Sequence, residues 1–372
     1  MRETRRCCCL SARVLRAAGW ILLLINLFGL FGCSAWAAGQ PSPVEVSNDW
    51  VIVHFPGDVN VPVDIQRAFL ECLTDSIEYV EGFFGSCLPK PVKYVFTGSK
   101  RFFPVPRASP PHHIIDELGP PMTLEEARRR CITTATHELV HLHSYGVWGD
   151  HSFASMSEGF AQLVEILRSQ LPPHDTAAAL HAMGRLPSLR TLLTTGLSLS
   201  ESERVVLLYS CTPSFLGFIY EKFGHDTLIR IYNNVPPYTA SASTAKLFSL
   251  IEECTATSLE ELELKWRQAL RATEVSERFI AAIELWDELG HAGLFRLRLL
   301  SDHLGVEIDP AFQEELQSVV ADIDRYGRGE PVSREELSRR IRRLCEWAEE
   351  IRRAMSAPRC MRPSWFMPGL GR

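Results

Sequence analysis

The stretch Thr134-Ala135-Thr136-His137-Glu138-Leu139-Val140-His141-Leu142-His143 restricts this chain more than any other. Within it, His137, Glu138 and His141 stand in the order H-E-x-x-H. On an α-helix four residues advance about 400°, so His137 and His141 lie one turn apart on one face. Two imidazoles so placed can bind one tetrahedral Zn²⁺ at about 2.0–2.1 Å. Glu138 projects roughly 100° around the helix, where it reaches a water held by the metal rather than the metal itself. A zinc that does chemistry needs a third protein ligand and one open position.

Local sequence supports the helix. Pro120-Pro121 closes the preceding loop, and Thr123 with Glu126 forms a T-x-x-E capping box. Leu124, Ala127, Cys131, Ala135, Leu139 and Leu142 follow as an apolar stripe. Gly146 is the expected stop, which predicts a helix of about six turns with the motif near its C-terminal end.

The third ligand is sought in Ser155-Met156-Ser157-Glu158-Gly159-Phe160-Ala161-Gln162-Leu163-Val164-Glu165. Sixteen residues separate His141 from Glu158, room for a turn and the start of an antiparallel helix. Glu158 there completes a His₂Glu zinc set, or closes a capping box with Ser155, and the two roles are compatible. Gly159 and Ala161 suit close helix approach.

HELVH followed by S-E-G-F-A-Q-L-V-E resembles the gluzincin zinc peptidases, most closely the bacterial peptidase MA-like group. The likeness runs on through Tyr209 to Phe215, a Phe223-Gly224 turn, and Ser258-Leu259-Glu260-Glu261-Leu262-Glu263 with Trp266. It implies an α+β, zincin-like domain over residues 44–272, with a small N-terminal sheet and a helical second half. It also implies Zn²⁺ on His137, His141 and Glu158, Glu138 as general base, and Tyr209 as donor to the tetrahedral oxyanion. Tyr220, Tyr232 and His225 compete with Tyr209 for that last role. Gln162 stands one turn after Glu158, where related enzymes carry an acid that orients a histidine. A metzincin layout fits less well, because Ser144 and Val147 occupy its glycine and third-histidine positions.

The N-terminus speaks to location. Arg2, Arg5, Arg6, Arg13 and Arg16 precede an almost wholly apolar run over residues 17–32, the layout of an export signal within residues 1–37. Ala35-Trp36-Ala37 offers a signal-peptidase site, whereas Leu30-Phe31-Gly32-Cys33 resembles a lipobox that would lipidate Cys33. An uncleaved anchor helix is the third outcome. The expected place is the bacterial cell envelope, lipid-anchored or free, or the medium. Loss of residues 1–37 removes a net +4 and takes the chain from −6 to −10. An acidic exported chain has no electrostatic reason to seek nucleic acid. The expected partner is a peptide or protein substrate.

Cys72, Cys87, Cys131, Cys211, Cys254, Cys345 and Cys360 follow Cys33, and an oxidising compartment would pair some of them. Cys72/Cys87, Cys345/Cys360 and Cys211/Cys254 are the pairings considered, with Cys131 left free. Residues 44–54 read as one strand, 61–84 as a helix and 91–96 as a strand. The proline-rich stretch 103–121, with His112 and His113, reads as an irregular loop. His54 reads as structural, His143 faces away from the ligands, and Asp150 and His151 lie in the loop between the metal helices. Residues 275–372 form a separate helical region, where Ser333 and Glu336 cap a helix striped by Leu337, Ile341, Leu344, Ala348, Ile351 and Met355.

The function expected is an exported zinc-dependent peptidase. The alternative is a non-catalytic zincin-fold lipoprotein that binds or assembles envelope components and keeps zinc for stability.

Overall fold

The structure, a computed structural model, describes residues 44–57, 59–98, 107–109, 113–118, 122–149, 153–194, 207–237, 241–291 and 309–356. The export signal, Cys33, His112, Asp150, His151 and Cys360 lie outside the described residues. Within them the chain is α+β and mainly helical, with one five-stranded sheet.

The first expected strand is a hairpin, β1 (Val44–Ser47) and β2 (Val51–Phe55), paired antiparallel. Asn48 breaks it, because its Oδ1 accepts from the backbone N–H of Trp50 and of Val51, each at 2.9 Å. Helix α1 (Val63–Phe84) then carries the chain to β3 (Val92–Gly98), which lies parallel to β2. Such a crossover is the usual way to join parallel neighbours. α1 ends where Gly85 takes φ 69°, left-handed backbone that glycine adopts without penalty. Its buried face, from Ile65 and Phe69 through Leu73 and Ile77 to Phe84, meets the alternate residues Val53, Phe55, Tyr94 and Phe96 of the sheet. Phe69 stands edge-on to Phe96 and Tyr94, with ring centres at 5.0 and 5.1 Å.

The proline-rich stretch is not wholly irregular. It contains β4 (Arg107–Ser109) and β5 (His113–Leu118), antiparallel to each other, with β5 parallel to β3. The prolines punctuate these short strands without entering them, which suits the edge of a sheet. His113 is therefore a strand residue, opposite Lys93 and Ser109. The strand order β1-β2-β3-β5-β4 leaves β4 at one edge.

The predicted six-turn helix is α2 (Leu124–Arg130), a π-helical turn over Cys131–Ala135, and α3 (Thr136–Trp148). Thr123 caps its start, accepting from Glu126 N–H at 3.1 Å. Gly146 does not end it; Gly149 does, with φ 68° and its N–H on Tyr145 O. The π turn explains the spacing of Ala127, Cys131, Ala135 and Leu139, all fully buried. Steps of four residues drift off one face of a regular α-helix, and one wider turn restores the line. Asp116 on β5 anchors this helix to the sheet. It accepts from Tyr94 Oη at 2.7 Å and from Arg130 at 2.9 Å, all beneath solvent reach at Asp116.

Next come α4 (Ala154–Arg168), α5 (Asp175–Ala182) and α6 (Leu189–Thr194). A second π turn, Leu207–Cys211, leads into α7 (Thr212–Phe223), followed by α8 (His225–Asn233), α9 (Ser241–Thr255) and α10 (Leu259–Ala272). Ser258 caps α10 through Glu261 N–H, as its sequence implies. One core runs from the sheet through α10. A second core belongs to α11 (Glu277–His291), α12 (Pro310–Gly327) and α13 (Arg334–Ser356), where Leu337, Ile341, Leu344, Ala348 and Ile351 are buried. An Arg185–Asp287 pair at 2.9 Å links α11 to the turn after α5. Among the described residues no helix is long and apolar enough to cross a membrane.

Among the described residues the considered pairings Cys72/Cys87 and Cys211/Cys254 do not form, and Cys345/Cys360 falls partly outside them. Cys72, Cys87, Cys131, Cys211, Cys254 and Cys345 are all free thiols. For Cys72 and Cys87 the reason is α1 itself. From Cys72 to Phe84 the helix rises about 18 Å, against a bridging limit of about 7 Å between Cα atoms. Cys211 is sealed in the core, while the sulfur of Cys254 accepts from Arg230 Nε at 3.1 Å.

Candidate metal centre

α3 and α4 bring His137, His141 and Glu158 together. The two Nε2 atoms are 3.1 Å apart, and each lies 3.3 Å from Glu158 Oε2. Three donors of a tetrahedral ion at about 2.0–2.1 Å would be spaced about 3.3–3.4 Å from one another. The triangle fits that requirement, and its donor chemistry, two imidazoles and a carboxylate, is a zinc set. Glu158 does not close a capping box, since α4 starts after Phe153 and Ser155 donates instead to Leu193 O at 2.7 Å.

The remaining ring nitrogens are also held. His141 Nδ1 lies 3.1 Å from Ser157 Oγ, and His137 Nδ1 lies 3.3 Å from Glu165 Oε2. An N–H donated from Nδ1 to a carboxylate fixes the tautomer that leaves Nε2 free for a metal. The acid that orients a histidine is therefore present, at Glu165 rather than at the position of Gln162. Seven residues advance about 700°, within roughly 20° of two full turns, so Glu165 shares the face of Glu158 more closely than Gln162 does. That spacing was the available signal in the sequence.

Charge in the site follows from burial and pairing. Burial opposes ionisation of Glu158, but hydrogen bonds from His137 and His141 outweigh it and hold its carboxyl well below the usual range. Burial likewise opposes a proton on His137, yet its hydrogen bonds to Glu158 and Glu165 raise it to about 10. Glu138 behaves differently. Burial raises its carboxyl, and the partial counterweights are the nearby histidines and the backbone N–H of Ala108 on β4. A carboxylate raised by desolvation is suited to accept and return a proton near neutrality.

Tyr209 sits on the second π turn with its ring stacked on His137, centres 5.7 Å apart and planes 15° from parallel. The rival groups are elsewhere. Tyr232 is buried, with its hydroxyl 2.8 Å from His143 Nδ1. His225 contacts Phe83 O at 2.8 Å, and Tyr220 packs edge-on against His225. His143 itself points away from the triangle, stacked on Phe84 with Nε2 2.7 Å from Ser86 Oγ. His54 faces Glu45 across the hairpin at 3.7 Å.

Both π turns flank the site and are secured in the same way. Thr136 Oγ1 donates to Cys131 O at 2.9 Å, and Thr212 Oγ1 donates to Leu207 O at 3.1 Å. In each turn a buried threonine satisfies the carbonyl five residues before it, where the helical ladder is disturbed. Neither threonine is marked by the ligand motif, and tertiary packing alone distinguishes them from other helical threonines. Gly159, next to Glu158, lets α4 lie against α7: a Cβ there would stand 2.4 Å from Thr212 Cγ2.

The chain matches no protein-family model, and no curated protein matches it.

Proposed function

We propose that the chain is a zinc-dependent peptidase of zincin-like fold and gluzincin type, acting outside the cytoplasm. The observation that carries this reading is the His137–His141–Glu158 triangle with a desolvated Glu138 beside it. A metal kept only for stability is usually closed by four protein ligands and needs no general base.

His137, His141 and Glu158 would hold the ion, with Glu165 and Ser157 keeping the two rings aimed. A bound zinc lowers the pKa of a water toward about 7 and polarises a carbonyl. Glu138 takes the proton from the attacking water and delivers it to the leaving amine. Tyr209, stacked on the first ligand, is the candidate donor to the oxyanion. Strand β4 supplies the substrate's track. It ends the sheet, and its Ala108 N–H already reaches Glu138, so an extended peptide paired to β4 would pass the base.

The test is zinc content by elemental analysis beside turnover of a peptide library. One zinc is expected in the parent, greatly weakened in His141→Ala and Glu158→Ala. Glu138→Gln should keep the metal and lose turnover. Turnover retained in Glu138→Gln refutes the assigned base. Bound zinc with no turnover of any peptide leaves the non-catalytic envelope protein, and a parent that binds no zinc ends both readings.

A further inference from the structure

Cys72 lies midway along α1, part-exposed, and Cys131 opens the first π turn, fully buried. Ser76 Oγ joins the two elements, 2.8 Å from Cys72 O and 3.0 Å from Cys131 O. Cys131 Sγ reaches into α1, 3.6 Å from Phe69 O in the turn that precedes Cys72. Phe69 and Ser76 flank Cys72 by about one helical turn on either side, so the contacts of Cys131 with both bring it against the face of α1 that carries Cys72. We propose that Cys72 and Cys131 are a redox pair, a modification site that closes to a disulfide by exchange with an incoming disulfide such as glutathione disulfide.

The geometry sets the order of events. Cys72 is the accessible member, and the neighbouring Cys131 side chain, helped by Arg128 and Arg168, lowers its thiol to about 7. Burial raises the Cys131 thiol well above its ordinary value, and solvent does not reach it. The Cys72 thiolate therefore attacks first, forming a bond to one sulfur of the incoming disulfide and releasing the other half as a thiolate. Cys131 then gives up its proton and attacks Cys72 Sγ, breaking the mixed disulfide and releasing the second half. Two protein thiols lose two protons and two electrons, and the reagent leaves as two thiols. The bridge would tie α1 to the turn that leads into the metal helix. It encloses the segment from Cys72 to Cys131, so closure should raise the melting midpoint.

The experiment treats the full chain with glutathione disulfide, blocks remaining thiols with N-ethylmaleimide, and maps the peptides by mass spectrometry. A Cys72–Cys131 linked peptide is expected, two hydrogens lighter than its reduced halves, with a higher melting midpoint than the reduced protein. Cys131→Ser should stop at Cys72 bearing one glutathione. Since that change falls in the core and could prevent folding, Cys72→Ser serves as the second variant, and its Cys131 should stay unmodified in the native protein. Cys72 glutathionylated without bridging in the parent would overturn the proposal, as would a bridge from Cys72 to another cysteine. Ready modification of Cys131 in Cys72→Ser would overturn the order of attack. None of these readouts depends on zinc or on turnover.

Discussion

Gly159→Ala probes the packing that sets Glu158 in place. The new methyl would stand 2.4 Å from Thr212 Cγ2, 3.0 Å from Thr212 Cβ and 3.2 Å from Leu216 Cδ1. Carbon atoms in contact prefer about 3.5–4.0 Å, so the shortest contact must open by more than about 1 Å. Thr212 cannot swing away freely, because it is itself fully buried and its hydroxyl is bonded to Leu207 O at 3.1 Å. Releasing that carbonyl costs about 1–3 kcal/mol, and moving α4 off α7 instead costs a similar amount. Alanine's better helix propensity returns about 1 kcal/mol. The net expectation is a destabilisation of about 1 kcal/mol, read by urea unfolding under circular dichroism, together with weaker zinc binding because Glu158 is the neighbouring residue. Thr212→Ser removes the clashing methyl but keeps the hydroxyl, and alone should cost about 0.8 kcal/mol for one buried carbon. Combined, the two changes should be coupled by 1 kcal/mol or more, with the double variant more stable than the single effects sum to. A Gly159→Ala protein as stable as its parent, or a cycle with no coupling, would refute the close approach of α4 and α7.

Glu165→Gln should weaken zinc about 10–100-fold in competition with a chelator, while Gln162→Ala should not, which separates the two positions. His143 is lowered to about 4, chiefly by burial, against an ordinary value of 6.5. Between those values the unfolded chain binds a proton that the folded chain refuses. The folded state should therefore lose about 1.4 kcal/mol per pH unit as pH falls from 6.5 toward 4, and His143→Gln should flatten that slope in urea titrations. Thr136→Val should cost about 1–3 kcal/mol by thermal or urea unfolding, since it removes one of two side-chain donors to Cys131 O and the part-buried acceptor of Arg168, now at 3.0 Å.

The helical course of residues 124–148, the facing of His137 and His141, and the capping of α2 and α10 were legible from residue spacing, because they depend on contacts within a few turns. So was the buried stripe of α13. Glu165 was legible in principle, since two helical turns return to one face, but a search confined to one turn passes over it. The hairpin break at Asn48 and the strands β4 and β5 were hidden for another reason. Short edge strands are stabilised by the neighbour they pair with, and residues rich in proline carry little periodicity of their own. The distance of α4 from α3, the two π turns with their threonines, and the meeting of Cys72 with Cys131 across 59 positions of sequence depend on how helices pack. By itself the sequence determined which side chains share a helical face, because the backbone repeat dictates it. Only the tertiary structure decided which faces meet, because that choice is made by the shape of the whole core.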